Sequence, residues 1–246
     1  LVLSVVLVYL GFKIYGAIIG VLIGITLGFI VGMIFIKDIM KQKEEKENFS
    51  DIYRFSVPFF ITTLVILTML SLDVILVRRF FVSDPDLVGK YAVLSTLGKM
   101  IFLGTSSVGK TMFASTSKNF EEEKDTGHIF KKSLFLITLL CLIILALFYL
   151  IPEWIILITF GSQYIDISNL LFYQGIALTF LSLSNLVLLY GLSINRIKKP
   201  WILFIFLILE ITLLSIFNSN LKVYIIAFIV SNIVMFIGSL LLIKKW

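Results

Sequence analysis

Ile14–Ile36 reads IYGAIIGVLIGITLGFIVGMIFI, a run without one charged side chain. As a helix rising about 1.5 Å per residue, it crosses the roughly 30 Å hydrocarbon core of a bilayer. Backbone amides find no water there, so only helices and closed barrels span it. Barrel strands alternate polar and apolar residues over about ten positions. This run does not alternate, and the helix is the reading that remains. Gly16, Gly20, Gly24, Gly28 and Gly32 recur every fourth residue. That stripe predicts a seam where a second helix packs closely.

The same pattern extends outward. The chain is 59% apolar, holds 23 Phe and has a mean hydropathy of +1.08. The apolar runs predict helices over Val2–Leu10, Ile14–Ile36, Phe55–Phe80, Leu87–Ser117, Ser133–Ile151, Ile165–Ile194, Trp201–Phe217 and Val223–Ile243. Pro58 falls early in its helix, where proline is tolerated. Pro152–Ser162, with Trp154, reads as an interfacial segment. The fold class expected is an all-α polytopic integral membrane bundle of about eight transmembrane helices. The chain starts at Leu1 inside an apolar run, with no basic leader before it, so its first helix is expected to be incomplete.

Charge sets the orientation. Lys37–Arg54, Lys118–Lys132, Arg196–Lys199 and the terminal Lys244-Lys245 hold most of the loop Lys and Arg, while the alternate loops hold few. Positive loops stay inside, so a cytoplasmic C-terminus in the cell (plasma or inner) membrane is expected. The net charge of +6 is then a topology signal, and no nucleic-acid partner is expected. One histidine, His128, and one cysteine, Cys141, leave neither a metal site nor a disulfide. No cofactor is expected. No acid–base pair or nucleophile set appears either, so an enzyme is not expected.

Leu87–Ser117 is the exception to the hydrocarbon pattern, because it carries Lys99, Lys110 and a series of hydroxyls. A lysine at the centre of a span costs about 2.5–3.5 kcal/mol on insertion scales. Positions eleven apart nearly eclipse on a helix, which puts Lys99 and Lys110 on one face about 16 Å apart. Ser95, Ser106 and Ser117 fall close to that face. Such a face is expected to line a wet interior that attracts an anion such as phosphate. The alternative is a structural ion pair. Asp73, on the preceding helix, is the partner within reach of Lys90 or Lys99, with Arg78 as a local option. Glu210 is a second lone membrane acid, placed either to carry protons or to cap against Asn232 or Asn185.

Gly104-Thr-Ser-Ser-Val-Gly109-Lys110-Thr111 satisfies the phosphate-loop pattern G-x-x-x-x-G-K-[ST]. That loop requires a strand before it and a parallel sheet around it. Here apolar spans lie on both sides, and nucleotide hydrolysis is not expected.

Leu72-Asp73-Val-Ile-Leu-Val-Arg78-Arg79-Phe80, then Val88-Gly89-Lys90-Tyr91-Ala92 and Leu97-Gly98-Lys99, resemble the polysaccharide or O-antigen flippase family. This family belongs to the multidrug/oligosaccharidyl-lipid/polysaccharide exporter superfamily. Phe160-Gly161-Ser-Gln-Tyr164 fits the same pattern. The resemblance covers roughly Phe55 to Ile243, with Val2–Ile36 fitting the end of the preceding half. It implies two six-helix halves around a central cavity. Residues 1–36 would be the last two helices of the first bundle, 37–54 a cytoplasmic connector and 55–246 the second bundle. It implies alternating-access flipping of a lipid-linked oligosaccharide for cell-surface polysaccharide export. Membrane lipids, and the polymerase and glycosyltransferases of the same pathway, would be its partners. Lys99, Lys110, Lys90 and Arg78 would supply a cationic cavity for the substrate, and Asp73 and Glu210 an ion-coupling or structural pair. A cation-coupled multidrug antiporter of the same superfamily is the alternative, and a non-functional partial membrane protein a third.

Overall fold

The computed structural model describes residues 2–36, 49–197 and 199–244. Most of the connector and the terminal Lys245 therefore lie outside the described residues, as does Lys198. Among the described residues there is no strand. Six helices are long and apolar enough to cross a membrane, and the protein is a multi-pass, all-α membrane bundle.

Two compact units make up the chain, Leu1–Phe49 and Ser50–Trp246. In the first, α1 (Val2–Leu7) and α2 (Lys13–Ile36) form a tight hairpin. The reversal falls at Gly11, whose φ of 93° lies in the left-handed region that a side chain would strain. The glycine stripe works as a seam over part of its length. Cβ atoms at Gly16 and Gly20 would collide with the backbones of Leu7 and Ser4, whereas Gly24, Gly28 and Gly32 face nothing within 4 Å.

The second unit contains α3 (Phe49–Phe80), α4 (Pro85–Glu121), α5 (Gly127–Leu150), the short α6 (Pro152–Phe160), α7 (Ser168–Ser193), α8 (Leu203–Ile216) and α9 (Leu221–Lys244). α3 begins six residues before the expected start, so Pro58 sits in its interior and leaves one helical carbonyl without its amide donor. The Pro58 carbonyl itself accepts a bond from Thr62 Oγ1 at 2.8 Å. α4 extends to about 55 Å, far beyond the hydrocarbon thickness. Its start is set by Pro85 and by Asp84, whose carboxylate accepts the Leu87 amide at 3.0 Å. α8 is shorter than its expected span because Pro200–Ile202 forms a tighter turn before it. The segment expected at the interface forms the short helix α6, which ends at Gly161 with φ 96°.

α7 is the axis of this unit, packing against α4, α5 and α9. Leu171, Ala177, Leu178, Leu181, Leu186 and Leu188 are wholly buried on it. Gly175 and Gly191 let α5 and α9 close in, since a Cβ at either would strike Phe148 or Ile243. Beyond its first turns, the exposed side chains of α5 from Phe135 to Leu147 are apolar, among them Leu139, Leu142 and Ile143. That is the surface lipid requires.

Candidate functional site

The short turn after α3 returns the chain so that Asp73 faces the first turns of α4. Tyr91, Ser95 and Lys99 follow one another at four-residue spacing and so share a helix face. All three reach the Asp73 carboxylate: Tyr91 Oη donates to Oδ2 at 3.0 Å, Ser95 Oγ to Oδ2 at 2.7 Å, and Lys99 Nζ to Oδ1 at 3.4 Å. From α7, Gln174 Nε2 donates to Oδ2 at 3.5 Å. From α9, Tyr224 Oη donates to the Asp73 carbonyl at 2.7 Å, and its ring meets Tyr91 edge-on at 5.5 Å. One aspartate thus joins four helices. Its side chain is 0% exposed. A buried carboxylate is tolerated only with such a full set of donors and a cation.

The sequence brought Asp73 and Lys99 into view as partners, and they are. Lys90 is not part of this pair. It lies nine residues from Lys99, on the opposite face of α4, and holds Asp86 at 2.8 Å and Asp166 at 2.6 Å. Arg78 is exposed at the end of α3, 140° around the helix from Asp73, and makes no ion pair with it. The structure therefore does not gather Arg78 and Lys90 with Lys99 and Lys110 into one cationic cavity. Gln174, Tyr224 and Asp166 went unmarked in the sequence reading. The signal for the first was a side-chain amide in an apolar helix, one of three there with Asn169 and Asn185.

Glu210 on α8 is wholly buried, and among the described residues neither carboxyl oxygen makes a hydrogen bond, although the Ser231 hydroxyl stands beside them. No hydrogen bond joins Glu210 to Asn232, whose Nδ2 donates to the Phe228 carbonyl at 2.8 Å. Ser231, beside it, is likewise committed to that carbonyl. Glu210 stands within electrostatic reach of Asp73. Among the described residues no group of three or more His, Cys, Asp or Glu is placed to hold a metal ion.

Lys110 lies two-thirds of the way along α4 and is exposed, with no acid in ion-pair range among the described residues. Of its expected companions, Ser95 is buried at Asp73, Ser106 is half-buried and donates to the Leu103 carbonyl, and Ser117 is turned inward. The open face of α4 is instead Thr96, Gly104, Ser107, Lys110, Thr111 and Ser115, broken by Met100 and Leu103. Its polarity contrasts with the oily exposed face of α5. Gly104–Thr111 is continuous helix inside α4, so its amides are used within the helix and none is free to cradle a phosphate.

No curated protein and no solved structure matches the chain. The family model described as polysaccharide biosynthesis protein matches residues 1–169, which take in Asp73, Lys90, Lys99 and Lys110 and leave out Glu210. With most of its length matched, and in agreement with the flippase-like motifs around Asp73 and Tyr91, the chain belongs to the polysaccharide biosynthesis protein family.

Proposed function

We propose that this membrane protein moves a lipid-linked oligosaccharide across the cell membrane for surface polysaccharide export. The observation that carries this reading is the open face of α4. A hydroxyl-lined stripe with an unpaired lysine is costly against lipid, and such faces border a hydrated interior. Lys110 offers an approaching phosphate a free cation. Lys99 stands at the edge of the same face with 23% of its side chain exposed, held to Asp73 by a long 3.4 Å contact. It can therefore turn part of its charge toward the passage without leaving the aspartate. Alternating access would come from rocking of one helix bundle against another. In this reading residues 55–246 form the second bundle, the connector lies in the cytoplasm and the C-terminus is cytoplasmic.

The full-length protein should restore surface polysaccharide to a flippase-deficient strain. Lys99→Gln with Lys110→Gln should lower that restoration about tenfold or more at equal membrane abundance. Unchanged export by the double variant would refute the cationic passage. A second reading, a cation-coupled multidrug antiporter, draws on Glu210, a buried acid with no ion-pair partner among the described residues. It predicts ion-dependent drug efflux that Asp73→Asn abolishes, and no rescue of polysaccharide export.

A further inference from the structure

Away from the Asp73 cluster, a groove of about 580 Å³ opens between the second half of α4 and the first half of α5. Its floor is hydrocarbon, formed by Val108, Met112 and Leu136. Its rim is polar. Ser107 and Ser115 come from α4, and His128, Lys132 and Ser133 from α5. The hydroxyls of Ser107, Ser115 and Ser133 make no hydrogen bond among the described residues, and Lys132 has no acid partner among them.

Charges around the rim are unequally committed. Asp125 faces His128, with 3.6 Å between its carboxylate and Nδ1. The Gly127 amide, bonded at 3.0 Å, holds the Asp125 carboxyl below the usual carboxylate range, and His128 adds to this. Lys124 is engaged by Glu122, and Lys131 is not one of the residues lining the groove. Lys132 is left as the free cation above an oily floor, with hydroxyl donors beside it. It stands at the loop end of α5, where a lysine places its stem along apolar surface and its ammonium at headgroup depth.

We infer that the α4–α5 groove binds an anionic phospholipid, its phosphate held by Lys132 and the rim hydroxyls and an acyl chain laid along Val108, Met112 and Leu136. The charge balance selects a net-negative headgroup, since Lys132 lines the groove and no acid among the described residues does. Basic pockets between membrane helices hold acidic lipid headgroups by this combination. Ser107, Thr111 and Ser115 also belong to the open face of α4, so the inference rests in part on the reading of that face, whereas Lys132 and His128 lie outside the proposed passage.

The test is native mass spectrometry of the full-length protein with phosphatidylglycerol, phosphatidylcholine or an isoprenyl diphosphate added. Phosphatidylglycerol should remain bound in preference to phosphatidylcholine. Lys132→Gln should weaken that binding about fivefold, and Lys132→Gln with His128→Gln further. Lys131→Gln removes the same charge one residue off the groove and should leave binding intact. Equal loss in Lys131→Gln and Lys132→Gln would reduce the effect to diffuse attraction and overturn the proposal. So would equal retention of the two phospholipids. Displacement of phosphatidylglycerol by the isoprenyl diphosphate at lower concentration would also overturn it, giving the groove to a transported lipid.

Discussion

Asp73 shows how much a single side chain has to satisfy when water is excluded. Its carboxylate has two hydroxyl donors, an amide and an ammonium, and its carbonyl a further phenol. Removing one member of a buried pair leaves the other uncompensated, which is where the large cost lies. Asp73→Asn should destabilise the folded protein by at least about 2 kcal/mol, read as a lower midpoint in detergent thermal unfolding. Lys99→Gln placed on that background should recover about 1 kcal/mol, because it removes the orphaned ammonium. Strict additivity of the two changes would show that the pair contributes nothing of its own. The aspartate was legible as a membrane acid in need of a partner, but the choice of Lys99 over Lys90 was not. Nine residues along a helix turn Lys90 to the opposite face, toward Asp166, which is 76 positions away in sequence and invisible to any local pattern.

At the level of elements, the glycines sort by what faces them. A Cβ at Gly238 would enter the ring of Phe206, so α8 and α9 touch there because nothing intervenes. Gly238→Ala should cost about 1–3 kcal/mol through overpacking. Gly104→Ala meets open space and should be neutral, or stabilising by up to about 1 kcal/mol from helix propensity. Thermal unfolding of the two variants checks both. The second result bears on the phosphate-loop pattern too, since a real loop of that kind would not accept a side chain so quietly. Helix existence was readable from the hydropathy runs. The helix ends were not. α3 and α5 both begin six residues before their expected starts, because charged residues beyond a span still continue a helix when no glycine or proline stops it.

For the whole molecule, the distribution of Lys and Arg predicts which loops face the cytoplasm. Cys141 is buried and replaceable by alanine to give a clean background. In intact cells an impermeant maleimide should then label Ser83→Cys, in the turn between α3 and α4. Lys124→Cys, between α4 and α5, should react only after the membrane is opened. The reverse pattern would invert the orientation and with it the direction assigned to export.

What the chain's order of residues determined alone is the solvent it lives in and the helical type of its spans, because a bilayer tolerates no unpaired backbone and few charges. Composition and periodicity suffice for that. The number of spans, about eight by the sequence, is six among the described residues, because α1 and α8 are too short to cross. Tertiary structure decided which charge answers which: Lys99 to Asp73, Lys90 to Asp166, Lys110 to none among the described residues, and Glu210 buried without a bond. Those assignments rest on how helices rotate and close against α7, and side-chain pairing between helices far apart in sequence has no signature until they do.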